Sequence, residues 1–185
     1  MTKIIPFLET FWGLADESPQ LRVKAAQSLL VHCFSNENVG EEDSKSANCA
    51  YALRRLLDGL NSGRASARQG FASCLSTFLK FAFAEKGTIQ SIRIEWSKKD
   101  KNDIIEKKNE INEDIEMDDW EFIRQELRRR TNINSTLNEG NNKLKQTSKK
   151  KGSEERDGVF GQLFGILAIC RSGILTTAPK EVSSY

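Results

Sequence analysis

At 185 residues the chain is long enough for one domain with a sizeable core. Its 38% hydrophobic and 29% charged residues make it more polar than a compact domain usually is, so part of it is expected to be unfolded. A net charge of +2 neither demands nor excludes nucleic acid, and one histidine with four dispersed cysteines excludes the usual zinc sets.

Taken from the N-terminus, Phe7, Leu8, Phe11, Trp12 and Leu14 predict a short apolar helix. Ser18-Pro19 supplies an N-cap and a proline at the first helical position. The helix that follows, to about Phe34, is expected to turn Leu21, Ala25, Ala26, Leu29, Leu30 and Cys33 toward a core. Asn36 to Ser46 reads as a polar connection. Next comes a helical hairpin from Tyr51 to Phe83. Ala50, Leu53, Leu57 and Leu60 recur at i, i+3, i+7, i+10 and share one face. Ala67, Phe71, Cys74, Leu75, Phe78 and Ala82 form the answering stripe. Gly59 and Gly63 bracket the turn, where a left-handed residue is often needed. So short a connection makes the two helices antiparallel neighbours. Thr88 is a candidate cap for a helix carrying Ile89, Ile92 and Trp96.

Beyond Trp96 the composition changes. Residues 98–151 are dense in charge and segregated, acidic from Glu110 to Glu121, basic from Arg124 to Arg130 and again from Lys143 to Lys151. They read as a disordered insertion, with one short helix carrying Met117, Trp120, Phe122, Ile123 and Leu127. From Ser153, an N-cap followed by acids, a very apolar helix is expected, with Phe160, Leu163, Phe164 and Leu167 on one face and Gly161, Gly165 and Ala168 in a narrow strip. A helix apolar almost all round is expected to be buried on several sides, the glycines admitting a close neighbour. Ser172-Gly173 is its stop. The run is too short to span a membrane, there is no signal peptide, and a soluble intracellular protein with reduced thiols is expected.

The fold class is therefore all-α: antiparallel helix pairs of an armadillo/HEAT-like solenoid, interrupted by the charged insertion. The domain reading is a helical-repeat segment over 1–97, the insertion over 98–151, and a buried helix over 152–185 that continues the solenoid. Such a helix wants a further partner, so the chain reads as part of something longer.

The candidate binding residues are basic. Arg64 and Arg68 lie one turn apart at the start of the second hairpin helix, close to its apolar stripe. One reading makes them a ridge that grips phosphate or an acidic partner. The other, which carries more weight, has them snorkelling from the helix end to pair with carboxylates such as Asp58. Arg54 and Arg55 belong to the preceding helix, where Arg54 is placed to pair with Asp58. Lys149, Lys150 and Lys151 form a cluster suited to phosphate contact, nuclear import or plain solvation. The carboxylates Glu113 to Asp119 have no fixed geometry. No nucleotide-binding loop or nucleophile motif is present, so no catalysis, metal or cofactor is expected.

Three segments carry a resemblance. They are FWGLA at Phe11–Ala15 with LRVKAA at Leu21–Ala26, GRASARQGF within Leu53–Phe71, and EERDGVFGQLFG opening Glu154–Leu175. Together they are similar to the N-terminal part of the DNA polymerase V (polymerase phi) / Myb-binding protein 1A family. The resemblance implies a long helical-repeat protein of the nucleolus that acts in ribosomal RNA transcription and ribosome assembly. Its implied partners are DNA, ribosomal DNA included, and transcription or ribosome-assembly proteins, with no small-molecule substrate and no membrane. The name implies a polymerase, but nucleotidyl transfer needs positioned carboxylates holding metal ions, and the resembling segments carry no such set. A non-catalytic scaffold is the expectation; a DNA polymerase or a helical transport adaptor is the alternative.

Overall fold

A computed structural model describes residues 4–35, 42–103, 118–131 and 148–177. Among the described residues the secondary structure is helical throughout: α1 Phe7–Leu14, α2 Pro19–Phe34, α3 Glu42–Gly59, α4 Ala65–Ala84, α5 Thr88–Asp103, α6 Asp119–Thr131, α7 Ser148–Ser172 and the single turn α8 Ile174–Thr177.

Local signals account for some of the boundaries. The Ser18 hydroxyl accepts from the Leu21 amide, with Pro19 at the first helical position of α2. Gly173 ends α7 at a φ of 77°, a conformation that costs glycine little. Gly59 and Gly63, in contrast, have no positive φ. Gly59 is needed for space, because a Cβ there would lie 2.3 Å from the Phe71 ring. The start of α7 also differs from expectation, falling at Ser148 rather than Ser153.

Helices α3 and α4 are the centre. Leu53, Leu56 and Leu57 of α3, with Leu60 just after it, meet Phe71, Leu75, Phe78 and Leu79 of α4, all buried. α1 and α2 close one side and α5 another, where Ile89, Ile92 and Trp96 are buried. The Trp96 indole donates to the Ala50 carbonyl at 2.9 Å, which satisfies its one donor inside the core. α6 buries Phe122, Ile123 and Leu127 against α3 and α7, so this part of the charged stretch shares the same core. Of the stretch expected to be a disordered insertion, residues 98–103 instead continue α5 and residues 148–151 open α7; the remainder on either side of α6 falls outside the described residues.

Two expectations about faces are corrected. Leu21 is exposed, as are Leu8 and Trp12 of α1, while Ala25, Leu29 and Cys33 do enter the core. On α7 the glycine strip admits close neighbours as expected, but the helix is not buried on its other large face. Its narrow strip is the packed side: Gly161 lies against Leu60 and Asn61, Gly165 against Leu127, and Ala168 is buried. Its large residues look outward, with Leu163 57% exposed and Phe160, Ile166 and Leu167 also exposed. The reason is steric. Glycine lets a helix axis come close, and close approach wins more contact per residue than a face of projecting side chains.

Cys33, Cys49 and Cys74 are buried free thiols. Cys49 Sγ donates to the Cys33 carbonyl at 3.3 Å. The Cys49 hydrogen bond and burial push the Cys33 thiol up, and burial pushes Cys74 from 9.0 to about 12. The unfolded chain therefore loses the Cys74 proton first as pH rises. Stability should fall between pH 9 and 12, by up to about 1.4 kcal/mol per pH unit for this thiol. Denaturant unfolding at pH 9 and 11 checks this: Cys74→Ala should show the shallower decline, and an unchanged slope would remove the thiol from the account.

Candidate functional site: a polar seam between the central turn and the last long helix

The turn from Leu60 to Arg64 is built by three successive backbone bonds, from Leu60, Asn61 and Ser62 amides to the carbonyls of Leu57, Asp58 and Gly59. It ends where Arg64 takes an extended backbone and α4 begins. This geometry aims the side chains of Asn61 and Arg68 at α6 and α7.

Arg68 is only 8% exposed. Its Nη1 donates to the Ser62 carbonyl and lies 3.4 Å from Asp157 Oδ1 of α7. Its guanidinium stands 4.8 Å from the Phe160 ring centroid. Asn61 Nδ2 donates to the Arg130 carbonyl at 2.7 Å. A Cβ at Gly161 would meet Asn61 Oδ1 at 2.3 Å, so glycine is what admits α7 to the turn. Arg130 completes the seam. It bonds Asp58 Oδ1 at 2.6 Å and Glu126 Oε2 at 3.1 Å, and stands 5.1 Å from the Trp96 ring centroid. Gln162 donates to the Thr131 carbonyl at 3.4 Å. The Asn61 Oδ1 and Arg68 Nε atoms are buried with no hydrogen-bond partner among the described residues.

The candidate arginines thus part company. Arg68, placed by a helical wheel at the stripe's edge, is buried and engaged by α7 rather than by Asp58. Arg64, placed closer to the stripe, is exposed. Arg54 turns to Trp96, 5.3 Å from its centroid, and leaves Asp58 to Arg130. Arg55 is exposed and lies 5.9 Å from the Phe11 ring centroid. The side chains of Lys149, Lys150 and Lys151 lie outside the described residues, as do Glu113, Asp114 and Glu116. Asp119 is held by Gln90 at 2.6 Å and Arg93 at 3.7 Å; burial raises its carboxyl above the ordinary 3.8 against the pull of those two partners. Among the described residues no three His, Cys, Asp or Glu side chains are grouped to hold a metal ion, and no helix is long and apolar enough to cross a membrane.

Sequence reasoning missed Asn61, Arg130, Asp157 and Phe160. Three of them were in view without this role, Phe160 on the apolar face of the last long helix and Asp157 among the acids at its start. Asn61 sits in the LNSGR turn, and Asp157 and Phe160 in ERDGVF, inside two of the segments that carry the family resemblance. What the fold adds is that those segments, 89 residues apart at the Arg68–Asp157 pair, touch.

An all-helical domain closed by a buried polar seam is the class of protein these features define. The chain belongs to the DNA polymerase phi family, whose sequence model matches residues 51–185. It is similar to the rDNA transcriptional regulator pol5 of Schizosaccharomyces pombe, 28% identical over 178 residues, covering 96% of this chain and 13% of that protein. It is similar also to the rDNA transcriptional regulator POL5 of Saccharomyces cerevisiae, 27% identical over 161 residues, covering 87% of this chain and 12% of that one. A Myb-binding protein 1A-like protein of Danio rerio is 33% identical over 90 residues, 47% of this chain and 6% of the relative. The chain thus spans between 6 and 13% of the length of these relatives. No solved structure matches it.

Proposed function

We propose that the chain is a non-catalytic helical scaffold module of a nuclear regulator of ribosomal DNA transcription. The single observation that supports this is the match of two rDNA transcriptional regulators along 96% and 87% of the chain. In this reading the helices form the opening repeats of an α-solenoid in the nucleolus. The module works by presenting helix faces and basic side chains to DNA and to transcription or ribosome-assembly proteins. Chromatin recovered with the tagged protein tests it: ribosomal DNA should be enriched over bulk genomic DNA, and equal recovery of both would sink the reading. The family's description names a polymerase, so primer extension by the purified chain, abolished by changing one carboxylate, would favour the rival.

Within this function the proposed DNA contacts are the exposed Arg55 and Arg64 together with Lys149, Lys150 and Lys151. Phosphate contacts of this kind are independent of sequence and depend on salt. Replacing the three lysines with Gln should flatten the plot of log affinity for duplex DNA against log salt by about 0.9 for each phosphate they neutralise. An unchanged slope in fluorescence anisotropy would take the lysines out of the interface.

A further inference from the structure

The outward face of α7 is not isolated. It forms one wall of a groove of about 650 Å³ whose other wall is α2 and whose floor is α4. Gly70, Ser73 and Thr77 make the floor, at i, i+3 and i+7, so it extends for two helical turns, about 10 Å. Val23 and Leu30 stand on the α2 side, Phe164 and Leu167 on the α7 side. Val23 is 58% exposed and Leu167 44%. The groove follows the helix direction because α2 and α7 both run with α4: Phe34 packs on Phe78 as Arg22 lies beside Gly70, and Phe160 packs on Arg68 ahead of Phe164. Two parallel ridges over a low floor accept one more helix with apolar anchors at i, i+3 or i+4, and i+7.

The charges choose the occupant. Arg22 lines the groove beside Gly70, and Arg171 lines it seven residues beyond Phe164, toward the other end. Among the described residues the lining contains no carboxylate. Arg22 is fixed in place by donating from Nη1 to the Asp16 and Glu17 carbonyls. We propose that this groove docks an amphipathic helix of a partner protein, apolar on one face and carboxylate-bearing along its edges. Nothing in this groove depends on the chain acting at ribosomal DNA.

The probe is a fluorescein-labelled synthetic helical peptide with leucines at i, i+3 and i+7 and glutamates flanking them; its control carries lysines for the glutamates. Anisotropy against the full chain should show saturable binding of the glutamate peptide and about tenfold weaker binding of the lysine peptide. Leu167→Glu should weaken the glutamate peptide about tenfold or more. Arg171→Glu should reverse the preference, weakening the glutamate peptide and tightening the lysine one. Both positions are exposed, so thermal unfolding should not move. Equal binding of the two peptides, indifference to Leu167→Glu, or no binding of either would each overturn the assignment. So would sedimentation showing a dimer that Leu167→Glu dissolves, because the occupant would then be a second copy.

Discussion

Gly70→Ala should destabilise the protein by about 3 kcal/mol, although the same change in an open helix stabilises by about 1 kcal/mol. The opposition of signs makes this a sharp test. Gly70 lies in the interior of α4, where glycine is a poor helix former. A Cβ there would sit 1.9 Å from the Leu14 carbonyl oxygen, 3.0 Å from its carbon and 2.8 Å from Arg22 Cδ. The first two contacts are with backbone, which cannot swing aside as a side chain can. To make room, the end of α1 must retreat. That opens the core around Phe11 and Leu14, both buried, and disturbs the Arg22 bonds that hold the α1–α2 junction. For a chain of this size a loss of 3 kcal/mol lowers the melting temperature by roughly 6–12 °C. Gly63→Ala is the internal control: its nearest neighbour beyond the turn is Asp157 Oδ2 at 3.5 Å, an ordinary contact. A neutral or stabilising Gly70→Ala in denaturant titration would mean that α1 does not end against α4.

The hairpin was the most legible part of the molecule, for a physical reason. Its apolar residues recur at helical spacing over several turns, and every residue read as core there is buried, from Ala50 to Leu60 and from Ala67 to Ala82. Such periodicity reports which face avoids water and needs no knowledge of the partner. It fails where a helix has more than one apolar face. On α7 both the glycine strip and the phenylalanine–leucine face were candidates for burial, and hydropathy alone favours the bulkier one. Backbone proximity decided otherwise. Leu21 failed similarly: it fits the helical stripe, but it stands in the first turn of α2, where it is exposed. α6 was visible as a short helix, but its three buried apolar residues do not say that they enter the core of helices far away in the chain. Arg68 shows the same limit at the site. A helical wheel puts it at an edge, and only the arrival of Asp157 and Phe160 makes that edge an interior.

Arg68→Gln should cost about 2–4 kcal/mol of folding stability, while Arg64→Gln should stay within about 0.5 kcal/mol. The two arginines are one turn apart on the same helix, so the contrast isolates their surroundings. Arg64 is exposed. Arg68 has a side chain 10% exposed, facing an Asp157 side chain 25% exposed, where water screens the pair only weakly. Removing the guanidinium leaves the Ser62 carbonyl short of a donor, Asp157 half-buried without its cation and the Phe160 ring bare on one side. Arg68→Lys should not rescue it, because an ammonium cannot reach the carbonyl and the carboxylate while lying flat on a ring. The cycle of Arg68→Gln, Asp157→Asn and the double variant should show a coupling of about 1–2 kcal/mol. Additive losses would mean that the two side chains do not depend on each other. If Arg68→Gln instead left the unfolding curve unmoved and weakened DNA binding as strongly as Arg64→Gln, the seam would be a binding ridge after all. The predicted outcome gives Arg68 a structural role, in which it clamps α7 so that its outward face and the groove beside it are held in register with α2.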